Sequence, residues 1–271
     1  MKSAAPRGAA PGVPTARGDP DLRLDKGLCT DCGLCLVTCP VGALRDDGGT
    51  VILDLDRCVE CHACFRSDRC PVGALEQDEL AWPRAVRAMF SDPFGKHPST
   101  QHMGRGTEEV KTNDVTNLVT PGTAGIAIEP GRPGVGASLR DLEKITRTLA
   151  PLGVTFAPKT PVTSLMTDPT TGALRPDILD ERVLSAIVEC TAPVELVPAI
   201  VRALREVAGS LDTVMSVAMF FAADRDVDPD ADRDTDGLPT PAYFAGLGLE
   251  PSIWGKTNMG LGRASQGGVG R

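Results

Sequence analysis

Aromatic side chains are scarce in this chain. They make up 4% of 271 residues, with one tyrosine and two tryptophans. Histidine is rarer, at positions 62, 97 and 102 alone. Basic charge is not in excess either, and the net charge is -8. A nucleic-acid surface needs a basic stripe with interleaved aromatics, so that class is excluded. No run approaches the roughly 20 apolar residues of a membrane-spanning helix. No apolar leader-like segment stands at the start, so a secreted disulfide framework is not expected. No Ser/His/Asp set or paired-carboxylate constellation stands out. The hydrophobic fraction, 41%, nevertheless supports a packed core, and the length allows one large domain or two ordinary ones.

Cysteine is what the chain has in unusual order. Eight of nine fall in two runs. The first is Cys29-x-x-Cys32-x-x-Cys35-x-x-x-Cys39-Pro40, and the second is Cys58-x-x-Cys61-x-x-Cys64-x5-Cys70-Pro71. Three thiolates at intervals of two residues let a tight loop wrap three corners of an iron–sulfur cubane, and the proline-tailed fourth belongs to the partner cluster. The exit segment repeats too: Cys39-Pro-Val-Gly-Ala-Leu44 returns as Cys70-Pro-Val-Gly-Ala-Leu75. Structural zinc sites would need pairs of pairs instead of triplets. Cys58-Val-Glu-Cys61-His62 fits a haem-attachment pattern, but Cys64 and the sister run argue against it. His62 reads as a plain surface imidazole.

Residues 22 to about 78 resemble a bacterial dicluster ferredoxin domain. The resemblance implies two low-potential 4Fe–4S clusters, one held by Cys29, Cys32, Cys35 and Cys70, the other by Cys58, Cys61, Cys64 and Cys39. The second run has five residues, Phe65 to Arg69, before its last cysteine, where the family has three. This reads as a longer loop. From Asp21 to Glu79 there are 12 acidic and 6 basic side chains. Such a surface would steer the module toward a redox enzyme with a basic docking face. Thiol chemistry needs a reducing compartment, so a cytoplasmic location is expected.

The chain is expected to divide into five parts. Residues 1–21 read as a disordered Ala/Pro/Gly tail. Residues 22–80 are the cluster module. Residues 81–123 form a connector, with a short helix from Trp82-Pro83 through Val86 and Phe90 and a turn at Ser91 to Gly95. This connector is either a linker or a segment that lies across the cluster module or lines a partner surface. Residues 124–223 form a second domain, and 224–271 an acidic loop with a Gly-rich extension.

The second domain shows strand–helix–strand order twice. Gly125 to Ile128 reads as a strand. Ser138 caps a helix with Asp141 three residues on, and Leu139, Leu142, Ile145, Leu149 and Leu152 share a face. Val154 to Phe156 and Val162 to Met166 read as extended. Leu184 to Glu189 is the next strand, ending at Cys190, which reads as a buried thiol. A helix starts near Glu195 with Pro198 in its first turn. Thr213 to Phe221 closes the unit with two apolar faces, so both its sides should be covered. Parallel pairing within each unit would require right-handed crossovers.

The overall class is α+β. The second domain resembles the ferredoxin-like plait, and its Gly131-Arg132-Pro133-Gly134 loop with Leu152-Gly153-Val154 downstream resembles an ACT-like small-molecule domain. That family carries an acidic residue where Gly131 stands. Gly131, Arg132, Gly134 and Gly136 form either a tight turn without ligand or a cofactor-class site for a carboxylate or phosphate. A small anionic metabolite or a second copy would then be partners of this domain. Asp232-x-Asp234-x-Asp236-Gly237 is similar to a calcium loop, but Tyr243 stands where the last glutamate should be, and a solvated loop is the expectation.

Three functions follow. One is an electron-transfer protein or oxidoreductase subunit, without substrate chemistry of its own, whose second domain serves docking or assembly. Another is a redox-linked small-molecule sensor. The third is an oxidoreductase with a substrate site between the modules.

Overall fold

The computed structural model describes residues 22–101, 116–131, 135–221, 241–248 and 259–262. The N-terminal tail, Arg132, Gly134, the acidic Asp224–Asp236 run and the calcium-like Asp232, Asp234 and Asp236 lie outside the described residues.

The first part of the chain is built from short antiparallel pairs. Strand β1 (Leu22–Leu24) meets β4 (Leu75–Gln77), and β2 (Leu44–Asp47) meets β3 (Thr50–Leu53) across Gly48-Gly49. Both glycines have positive φ, 62° and 87°, a backbone twist that suits a two-residue hairpin. A single helical turn, α1 (Ala63–Arg66), carries Cys64. Leu22, Ala43, Leu44, Val51 and Leu75 form a small apolar core together with Cys35, Cys58 and Cys64.

Helix α2 (Ala85–Ser91) follows, as the sequence suggests. Its Val86 and Phe90 are fully buried in the larger core that lies downstream. Its first turn and C-terminal end reach back to the cysteine-rich part. Helix α2 and its flanking residues Arg84 and Asp92 therefore hold the two cores against each other.

The larger core lies under a five-stranded sheet. Strand β5 (Thr123–Pro130) leads through β6 (Ala137–Ser138) into α3 (Leu139–Leu149). Ser138 caps α3 by accepting from the Asp141 N–H at 3.0 Å. Leu139, Leu142, Ile145 and Leu149 are fully buried, the face that the 3.6-residue period marks. Gly153 turns the chain with φ 81° into β7 (Thr155–Phe156).

Next comes an excursion. Pro161–Ser164 forms a short helix, α4, where extended chain is expected. Thr160 caps it by accepting from the Thr163 N–H, and Pro161 occupies its first turn, both strong helix-start signals that outweigh the β-branched run. Strands β8 (Met166–Asp168), β9 (Ala173–Leu174) and β10 (Arg182–Val183) complete it.

The next strand, β11, runs from Val188 to Pro193, four residues later than expected. Pairing with β5 sets this register, with Val188 opposite Ile128 and Pro193 opposite Thr123. Leu184 lies outside it and donates its N–H to Ser91 Oγ. Helix α5 (Val197–Ala208) has Pro198 in its first turn, and β12 (Val214–Phe221) closes the unit.

The sheet order is β13-β12-β5-β11-β7, and every neighbouring pair is antiparallel. The two strands of each strand–helix–strand unit run parallel but do not pair. Strand β11 separates β5 from β7, and β5 separates β11 from β12. Both faces of β12 are covered, as its composition implies. Met215, Val217, Met219 and Phe221 join the main core, while Ala218 and Phe220 pack with Val119, Ala127 and Ile187. The Gly-rich C-terminal part supplies α6 (Pro241–Gly246) and β13 (Met259–Gly262), a four-residue edge strand in which every second residue is glycine.

Candidate metal centre

Cysteine spacing and backbone turns build the site jointly. Asp31 and Glu60 occupy matching places in the two runs, with φ 54° and 52°. Gly33 and His62 match as well, with φ 73° and 55°. These left-handed residues fold each Cys-x-x-Cys-x-x-Cys run into a loop whose sulfurs face inward. The outcome is two separate hollows. One is lined by Cys29, Cys32, Cys35 and Cys70, with Leu24, Val51 and Leu75 behind them. The other is lined by Cys39, Cys58, Cys61 and Cys64, with Leu22, Leu44 and Leu53 behind. Each hollow draws three cysteines from one run and the fourth from the other.

All eight thiols are free of disulfides. Among the described residues, no three His, Cys, Asp or Glu side chains gather tightly enough for a single metal ion. Four soft sulfur donors spread around a small hollow suit a polynuclear iron–sulfur group. The donor set fits.

Backbone N–H groups aim at the sulfurs. The Ala43 N–H donates to Cys39 Sγ at 3.1 Å, and the Ala74 N–H donates to Cys70 Sγ at 3.2 Å. These contacts come from the repeated Cys-Pro-Val-Gly-Ala segment, whose Gly42 and Gly73 adopt φ 64° and 63°. Although burial raises the Cys70 thiol, the amides of Ala74, Val72 and Gly73 outweigh it and hold its pKa below the ordinary value. Desolvation pushes Cys58 and Cys64 up to about 12, with the Glu60 and Cys61 charges adding to it respectively. The five-residue stretch before Cys70 is absorbed by α1 and a turn at Asp68, and Cys70 still reaches its hollow.

His62 is not a surface imidazole. It is 3% exposed, and its Nδ1 lies 2.9 Å from Asp92 Oδ2. Glu60 beside it is fully buried and paired with Arg84. Sequence reasoning missed Glu60, Arg84, Arg87 and Asp92, because their partners lie 24 to 94 residues away. Two arginines three apart, Arg84 at the N-cap and Arg87 in the first turn of α2, were the available signal.

The anion loop is only partly described. Gly131 has φ 87°, and a Cβ there would sit 2.6 Å from the Leu184 carbonyl. Gly136 has φ 76° and packs against the Val183 carbonyl and Val41. Close approach and turn geometry account for both glycines. Cys190 is fully buried in the main core, and burial pushes its thiol up to about 12. It is separate from the two hollows.

The family described as "4Fe-4S binding domain" matches residues 22–45. A curated protein named "Ferredoxin" from Alicyclobacillus acidocaldarius subsp. acidocaldarius is 40% identical over 46 residues. That stretch is 17% of this chain and 56% of the relative. No solved structure matches. The N-terminal part is therefore similar to ferredoxin-type 4Fe–4S binding domains, and the chain spans about half the length of the curated relative it matches. Among the described residues no helix is long and apolar enough to cross a membrane.

Proposed function

We propose that residues 22–80 hold two low-potential 4Fe–4S clusters, one on Cys29, Cys32, Cys35 and Cys70, the other on Cys39, Cys58, Cys61 and Cys64. The observation that carries this reading is the pair of separate hollows, each lined by four cysteines. Each cluster, when bound, supplies a one-electron redox centre. The chain's own residues supply the rest. Eight thiolates anchor, and the Ala43 and Ala74 amides stabilise negative charge on sulfur. Apolar side chains behind each hollow keep water from the inner face.

The protein then acts as an electron carrier or as a subunit of a redox complex in the cytoplasm. Its acidic N-terminal part would meet a basic face on the partner enzyme. Residues 124–223 are read as a ferredoxin-like plait that serves docking or assembly. The strand order β12-β5-β11-β7, with one helix in each crossover, supports that topology. An ACT-like ligand role would have to come from Arg132 and Gly134. Gly131 and Gly136 are accounted for by packing, so the docking reading is preferred. Iron and acid-labile sulfide counts on anaerobically reconstituted protein test the two-cluster assignment.

A further inference from the structure

The two cysteine loops repeat each other in sequence, yet they are supported differently. Among the described residues, the first is self-contained. Asp31 accepts from Lys26 Nζ at 2.8 Å and from the Val51 N–H at 2.9 Å, both within the N-terminal part. Gly33 takes its left-handed turn without a side chain to strain.

The second loop is held from outside. Arg87 of α2 is 5% exposed, and its Nη1 donates to the carbonyls of Leu55 at 2.9 Å and Cys58 at 2.5 Å. Its Nε bonds Glu181, just before β10 of the C-terminal part. Arg84 donates through Nε to the buried Glu60 carboxylate at 2.8 Å and through its Nη atoms to the Leu55 carbonyl. Where the first loop has Gly33, the second has His62 at φ 55°, rare for a residue with a side chain. Asp92, at the C-terminal end of α2, bonds His62 Nδ1 and also accepts from Arg66 at 2.9 Å. The helix itself is anchored in the larger core through Val86 and Phe90.

We propose that α2 is a brace for one cluster alone: Arg84, Arg87 and Asp92 are positioning residues for the loop of Cys58, Cys61 and Cys64. The inference rests on the two-cluster reading above. On this account the ferredoxin-type part is half autonomous. Its first cluster site is complete within residues 22–75, and its second needs the C-terminal domain to hold Arg87 in place. The second cluster thus senses how that domain is seated, and the first does not.

The test uses the full chain, reconstituted without air. Arg87→Ala should lower iron from about eight to about four per chain. The remaining cluster should keep its wild-type EPR signal and reduction potential. Arg87→Lys keeps the charge but loses the two-pronged geometry. It should retain both clusters, with the potential of one shifted and the other unmoved. Arg87→Ala protein with about eight irons and two unchanged potentials would overturn the brace. If Arg87→Ala does not accumulate, Asp92→Asn is read instead, since it leaves the core of α2 and Glu181 intact. One moved potential supports the proposal, and two unmoved ones overturn it. A wild-type chain that never exceeds about four irons fails the two-cluster reading itself, which separates the two failures.

Discussion

The backbone N–H of Ala74 donates to the sulfur of Cys70 at 3.2 Å. The Ala43–Cys39 contact repeats it 31 residues earlier in the chain. Each depends on a glycine in the left-handed region just before the alanine, Gly73 at φ 63° and Gly42 at φ 64°. Nothing lies within 4 Å of where a Gly73 Cβ would be, so substitution there meets backbone strain alone. Gly73→Ala should cost about 1 kcal/mol. Urea unfolding of the anaerobic protein checks this, and an unchanged midpoint would show that the turn is not strained by a side chain.

The helix that carries the larger core starts at a defined cap. Ser138 accepts from the Asp141 N–H at 3.0 Å, and among the described residues no other side chain caps that end. Ser138→Ala should lower stability by about 1 kcal/mol. The cluster spectrum of the folded protein should not move, because losing the cap leaves the Arg87–Glu181 pair in place. A thermal melt followed by circular dichroism, with the visible spectrum as control, reads both.

The cysteines, the cap at Ser138 and the buried stripe of α3 were legible because each rests on local spacing. Residues three or four apart on a helix share a face whatever the tertiary setting. The register of β11 was not legible: Ile187 and Val188 are both apolar, and only pairing with β5 decides where the strand starts. Val162 to Ser164 is helical against the extended expectation, because the Thr160-Pro161 start signal outweighs the β-branched residues, while Met166 is extended in β8. Strand β13 comes from a glycine-rich stretch whose two apolar residues, Met259 and Leu261, are too few to mark a strand. The role of α2 was hidden for another reason. Its contacts with Leu55, Cys58, Glu60 and Glu181 are all made across the fold, and the buried setting of Glu60 and His62 exists only once those contacts form.

Acid sensitivity should show a separate contribution from His97. The ring is 2% exposed, its Nδ1 is hydrogen-bonded to Ser99, and its edge packs on Phe90 at 5.3 Å between centroids. Burial lowers its pKa from 6.5 to about 4. The unfolded chain therefore binds the proton more readily than the folded one between those values. Stability contributed by the neutral ring is full above about 6.5 and is lost as pH falls toward about 4. The difference in urea midpoint between wild type and His97→Gln should narrow across that window. A difference independent of pH would show that the imidazole stays in contact with water.

All-thiolate ligation places both proposed clusters toward the reducing part of the range such centres span. Dithionite should bleach the visible absorbance, and ascorbate should do so in small part or not at all. Full reduction by ascorbate would instead indicate a high-potential site.

The central claim is that two complete sets of four cysteines each hold a cluster. Iron and acid-labile sulfide, measured against protein concentration on the full chain reconstituted without air, test it most directly. The account predicts about eight of each per chain. A preparation that saturates at about four, whatever the excess of iron and sulfide, would contradict it and point first to Cys70.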